Sequence, residues 1–293
     1  MIIDFRYHII TLVAVFLMLG LGILIGTTMV GSEAIVKQQV QLGDRLEKQL
    51  NGLRMENVKV QQRADQIEAE NKMLHLFAGE VVPFAAAGQL KDIRVAVFEV
   101  GGAASQEMLD DLKTAGAVVE PVITLTNGLN VTNLLEQFRQ DFGWPEKKPE
   151  DLTARLAREL GRAVATGQNP ALIDYLKSVG LATYSGNYNM PVTAAIIVGG
   201  TEGSEISRVS RVDLNLIDGL LQEEVRVAGV EETLDNGACI KEYQKRKITT
   251  VDNIDTPCGR IALVLALAGQ PGHYGTKPSA KRLIPPFPTG GAK

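Results

Sequence analysis

Three loops carry the residue types that could hold a ligand. Gly101-Gly102-Ala103-Ala104-Ser105 follows the apolar run Ile93 to Val100. Gly199-Gly200-Thr201-Glu202-Gly203-Ser204 follows Ala194 to Val198, and Asp252-Asn253-Ile254-Asp255-Thr256 follows Ile248 to Val251. Glycine lets a backbone approach a ligand closely, and the first amides of a helix after a strand point their N–H groups at an anion. Such loops would bind an anionic small molecule in one cleft. Gly101, Gly102, Ser105, Gly199, Gly200 and Thr201 would donate, and Asp252 and Asp255 would stand beside them as a carboxylate pair. None of the three loops matches G-x-G-x-x-G, none carries the lysine of a phosphate loop, and Glu202 opposes a phosphate. The competing reading is ordinary tight turns into helices. Asp255-Thr256-Pro257 in particular reads as a helix start with a polar cap and proline in the first turn.

Catalytic constellations are absent from the sequence. There is no serine nucleophile elbow, no H-E-x-x-H and no kinase motif. The three histidines, His8, His75 and His273, are far apart along the chain, so a histidine metal cluster is not expected. The two cysteines, Cys239 and Cys258, lack C-x-x-C spacing, and one disulfide between them stays open if the domain lies outside the cytoplasm. We therefore assign no catalytic residue, metal ligand or cofactor, and expect no enzyme. A net charge of −4 and a single tryptophan, Trp144, argue against a nucleic-acid partner.

The elements that must position these loops are strands alternating with helices. Continuous apolar runs at Ile93–Val100, Ala117–Leu125, Ala194–Val198, Val227–Glu232 and Ile248–Val251 read as strands covered on both faces. Between them, Gln106–Ala115, Leu134–Phe142, Asp151–Ala165, Ala171–Val179, Val212–Glu224, Cys239–Arg246 and Thr256–Ala268 read as helices. Ala182–Tyr184 adds a short strand. Alternation of this kind predicts an α/β head over residues 92–270, Rossmann-like or flavodoxin-like, with three layers and a mainly parallel sheet. Ligands of such sheets bind beyond the carboxyl ends of the strands, where the three loops lie. Residues 271–293, rich in proline and glycine, read as an extended tail.

The N-terminal part is built differently. From Ile9 to Val30 there is no charged residue, and a helix of about 20 apolar residues crosses a bilayer. Residues 1–30 are read as a leader and a transmembrane anchor, the other possibility being a cleaved secretory signal. Basic residues flank the run on both sides, so charge alone leaves its orientation open. Over residues 31–78, Leu46, Leu53, Val60, Ile67 and Leu74 recur every seventh position, with Leu50, Asn57, Ala64 and Asn71 four residues after the first four. That heptad predicts a coiled coil, most naturally a parallel homodimer, in which the two asparagines fix register. The competing reading is a lone amphipathic helix. Pro83 and the glycines predict the end of the long helix and a hinge over 79–91.

Taken in order, FRYHIITLVAVFLMLGLGILIG, the charged heptads and VDNIDTPCGRIALVLALAGQPGHYGTK resemble the family of mycobacterial copper transport protein B. That family also includes the corynebacterial SteB cell-separation protein. The resemblance implies a single-pass protein of the cell membrane with an extracytoplasmic head, a role in copper homeostasis or transport, and an envelope protein partner. The residues support a copper site less well. Cu(I) favours clustered thiolates and thioethers, and no Met-x-x-Met cluster occurs. The expected function is accordingly a non-enzymatic scaffold or regulator, with copper binding or transport proper as one alternative and a degenerate nucleotide or small-ligand sensor as another.

Overall fold

The computed structural model describes residues 5–30, 33–126, 128–200, 208–235 and 238–286. The chain divides into two units, Met1–Asn71 and Lys72–Lys293. In the first, helix α1 spans Phe5–Val30. Its stretch Phe5–Thr28 has a mean hydropathy of 2.8, and none of it is buried against the rest of the protein. Thr11, Thr27 and Thr28 turn their hydroxyls back onto carbonyls three and four residues earlier, which hides each polar group inside the helix. Helix α2, Glu33–Ala86, begins in the first unit and ends in the second.

The second unit is an α/β domain. In chain order after α2 come β1 (Arg94–Glu99), α3 (Gln106–Thr114), β2 (Val118–Leu125), α4 (Leu135–Phe142), α5 (Pro149–Thr166) and α6 (Pro170–Ser178). Then follow β3 (Ala182–Ser185), β4 (Ala194–Val198), a π-helical turn (Val209–Asp213) running into α7 (Leu214–Gln222), and β5 (Arg226–Val230). The last elements are α8 (Ala238–Gln244), β6 (Thr249–Val251), α9 (Pro257–Leu267) and β7 (His273–Tyr274). The seven strands order as β3-β2-β1-β4-β5-β6-β7. All neighbours are parallel except β3, which runs antiparallel to β2 at one edge. The chain winds outward in one direction from β1 and in the other from β4, so β1 and β4 flank a topological switch point.

The central strand β4 is apolar at every position, and β1 beside it is apolar between Arg94 and Glu99, because both faces are covered there. Ala96 and Phe98 of β1, with Ala195 and Ile197 of β4, face a layer built on α5, α6, α7 and α8. Val95 and Val97, with Ala194, Ile196 and Val198, face the opposite layer of α3, α9 and the end of α2. Alternate side chains of a strand point to opposite faces, so both sets are core residues. Helices α5 and α7 approach closely through glycine: a Cβ on Gly161 would lie 2.6 Å from the Leu216 carbonyl oxygen.

Two boundaries differ from the sequence expectation. Helix α2 does not stop at Pro83 but carries it as an interior residue and ends at Ala86. Interior proline removes one helical hydrogen bond. The turn beyond it is nevertheless held, because Val82, Ala86 and Leu90 are buried in the core and the Leu90 amide donates to the Ala115 carbonyl. The tail is likewise not merely extended. His273–Tyr274 pairs with β6 as the seventh strand, so the head extends past residue 270.

Candidate functional site

A cleft of about 850 Å³ opens beyond the carboxyl ends of β1 and β2. Its walls come from four segments: Glu99–Ala103, Thr124 and Leu125 with Gly128–Thr132, the start of α5 at Pro149, Glu150 and Thr153, and Arg208, Arg211 and Val212. Glu99 holds the loop after β1 in place. Its Oε1 accepts from the Ala104 amide at 2.8 Å, and its Oε2 accepts from the Thr124 hydroxyl at 2.5 Å. A carboxylate of this chain thus occupies one backbone donor of the loop, the Ala104 amide.

Behind the cleft lies a buried polar cluster. The Arg208 side chain is 11% exposed and packs over Gly101, where a Cβ would collide with its guanidinium. Its Nη2 lies 3.8 Å from Asp213 Oδ2 and donates to the Gly200 carbonyl at 3.4 Å. The fully buried Tyr243 hydroxyl donates to Asp213 Oδ2 at 2.6 Å. Burial pushes the Asp213 carboxyl up from 3.8 to about 6, against the opposing pull of Arg208 and Tyr243. Burial also raises the Cys239 thiol, with Asp213 adding to it, and raises Tyr243 well above its ordinary value. Cys239 is therefore held as a thiol and not as a nucleophilic thiolate. Its sulfur sits 3.9 Å from the Arg208 cation, which disfavours a second cation there. Among the described residues no three His, Cys, Asp or Glu side chains are grouped to hold a metal ion.

A family model described as "Copper transport outer membrane protein, MctB" matches residues 2–285. The chain belongs to the MctB family. Proteins named Copper transporter MctB from Mycobacterium bovis and Mycobacterium tuberculosis are 26% identical to it over 320 aligned positions. The alignment covers 94% of this chain and 96% of each relative.

In this MctB-family chain the residues singled out from sequence do not form one cleft. Gly101 and Gly102 line the cavity. Ser105 instead caps α3, accepting from the Met108 amide at 3.2 Å. Gly199 and Gly200 are buried behind the cleft. A Cβ on Gly199 would lie 3.0 Å from the Tyr243 hydroxyl and 3.1 Å from Cys239, and one on Gly200 would collide with the Gly101 carbonyl. Thr201 lies outside the described residues. Asp252 and Asp255 do not act as a pair. Buried Asp252 accepts from the Thr276 amide at 2.7 Å and the Lys277 amide at 3.2 Å, whereas Asp255 accepts from the Thr233 amide and hydroxyl at 2.8 Å. The cap of α9 is Thr256, which accepts from the Gly259 amide at 3.1 Å. Cys239 and Cys258 are both free thiols.

The stretch-by-stretch reading missed Arg208, Asp213 and Tyr243. The available signal was an arginine just upstream of the apolar run that becomes α7. It was obscured because a π-helical turn, common at functional sites, has no sequence signature.

Proposed function

We propose that this protein serves copper homeostasis as a non-enzymatic, membrane-anchored scaffold or regulator of the cell envelope. The observation that carries the reading is α1, a long apolar helix with no protein surface to bury it. A bilayer supplies that burial, and a helix satisfies its own backbone groups there. On α2, Leu46, Leu53, Val60, Ile67 and Leu74 are between 51% and 61% exposed. A second copy would cover the stripe, with Leu50, Asn57, Ala64 and Asn71 completing the seam of a parallel coiled-coil homodimer. The strand order β3-β2-β1-β4-β5-β6 supports a Rossmann-like head, with the antiparallel β3 as a departure. Copper transport in the names of the family and its relatives supports the homeostatic role. The head would face outside the cell membrane and engage an envelope protein.

Cross-linking in native membranes tests this. The full-length chain resists carbonate extraction, Leu53→Cys forms disulfide-linked dimers, and Gln62→Cys, on the other side of the heptad, does not. Recovery in the aqueous fraction, or equal cross-linking at both positions, defeats the reading. The relatives' name favours a second reading, direct copper binding or transport. Stoichiometric Cu(I) binding by the detergent-solubilised chain would establish it.

A further inference from the structure

Arg208 is a cation without a matching set of acceptors. Its Nε and Nη1 are buried and have no acceptor among the described residues. The carboxylate beside it approaches only to 3.8 Å through Asp213 Oδ2, which Tyr243 engages, while Asp213 Oδ1 is itself buried without a partner among the described residues. A buried charged donor left unmatched is costly, and here it lines an 850 Å³ cleft, a volume suited to a metabolite. On the same wall, the amides of Gly102 and Ala103 have no acceptor among the described residues. The cleft is also lined by Thr124, Asn130, Thr132 and Thr153; the three threonine hydroxyls already donate to Glu99, Asn130 and the Leu129 carbonyl, so they meet a ligand hydroxyl as acceptors.

We propose that this cleft binds a small phosphomonoester carrying hydroxyl groups, a nucleotide or a sugar phosphate, with Arg208 as its charge partner. A phosphate, with nearly two negative charges and three terminal oxygens, suits a cation with several unmatched donors beside it. Glu99 does not oppose the anion, because both its oxygens are pinned by Ala104 and Thr124. Among the described residues, Glu150, exposed at the start of α5, and buried Asp213 beside Arg208 are carboxylates that oppose it. Arg208 packs over Gly101 with Nη1 buried, so a ligand oxygen would meet Nη1 only after the arginine side chain turns toward the cleft. The inference concerns the head alone and does not depend on pairing of α2.

Calorimetric titration of the full-length protein in detergent with adenosine monophosphate, ribose 5-phosphate, adenosine and ribose tests it. Adenosine monophosphate or ribose 5-phosphate binds saturably, about tenfold or more tighter than its unphosphorylated partner, as a charge-assisted hydrogen bond provides. Arg208→Gln, if its circular dichroism is unchanged, removes that advantage. Glu150→Gln, at an exposed position, tightens the phosphorylated compound more than the neutral one. If neither phosphate ester binds, or if each binds no better than its neutral partner, the proposal fails whatever the cross-linking of α2 shows. Because the wild-type comparison is decisive, it stands even where Arg208→Gln does not fold.

Discussion

Replacing Asp213 by asparagine isolates the electrostatic cost of the cluster behind the cleft. The carboxyl is fully buried, and burial lifts it from 3.8 to about 6. The folded state therefore holds the proton more tightly than the unfolded chain. Its stabilising contribution is complete below about pH 4 and is lost as pH rises through about 6. A separation of about two pH units, at about 1.36 kcal/mol each, makes this loss about 3 kcal/mol. Asparagine keeps the shape and still accepts from Tyr243, but it does not titrate. Relative to the variant, the wild type should lose about 3 kcal/mol between pH 4 and 7. The absolute offset caused by leaving Arg208 without a counter-charge is independent of pH and does not affect the slope. Glu231, also raised by burial, is common to both proteins and cancels. Trp144, the single tryptophan, is buried in the head beside Phe138 and reports urea unfolding of the detergent-solubilised full chain. A stability difference constant to about 0.5 kcal/mol from pH 4 to 7 would refute the claim that Asp213 is a desolvated carboxylate.

Three further outcomes follow from the packing. Gly161→Ala sets a methyl 2.6 Å from the Leu216 carbonyl oxygen, and should destabilise the head by about 1–3 kcal/mol in the same urea assay. Lys277→Met leaves Glu231, whose side chain is 1% exposed, without its ion-pair partner. That should cost about 3–5 kcal/mol, and limited proteolysis should cut the tail near residue 277 faster than in the wild type. Thr256→Ala removes the cap of α9, with an expected loss of about 1 kcal/mol, seen as a lower denaturation midpoint with unchanged slope.

The layered head was legible because its strands are buried on both faces. Ala194–Val198 is apolar at every position, and its alternate residues do enter opposite layers. Helix starts were legible where chemistry is local, as at Thr256-Pro257. Pro83 misled because its local penalty is outweighed by burial of Val82 and Ala86, a contact with strands that sequence position does not reveal. Strand β7 was hidden for a related reason. His273-Tyr274 has no strand periodicity of its own; the Thr250 and Asp252 amides pair with the Gly272 and Tyr274 carbonyls, and the Asp252 side chain grips the amides of Thr276 and Lys277 just beyond. Gly275 permits that grip, since its φ is +134° and a Cβ there would collide with the Asp252 carboxylate.

The same contacts explain why one of the three loops is open and another is not. After β6, the tail supplies the donors that the Asp252 carboxylate needs, and Lys277 neutralises Glu231 beside it at 2.5 Å. The two carboxylates at that end, Asp252 and Glu231, are both buried and both satisfied by the chain itself. After β1 the balance is incomplete. Glu99 satisfies Ala104 and Thr124, yet two nitrogens of Arg208 have no acceptor among the described residues. The buried carboxylates are matched where the tail closes the sheet, whereas cationic donors of Arg208 are left unmatched at the switch point between β1 and β4. A ligand gains most from binding where the protein's own groups have left donors unmatched.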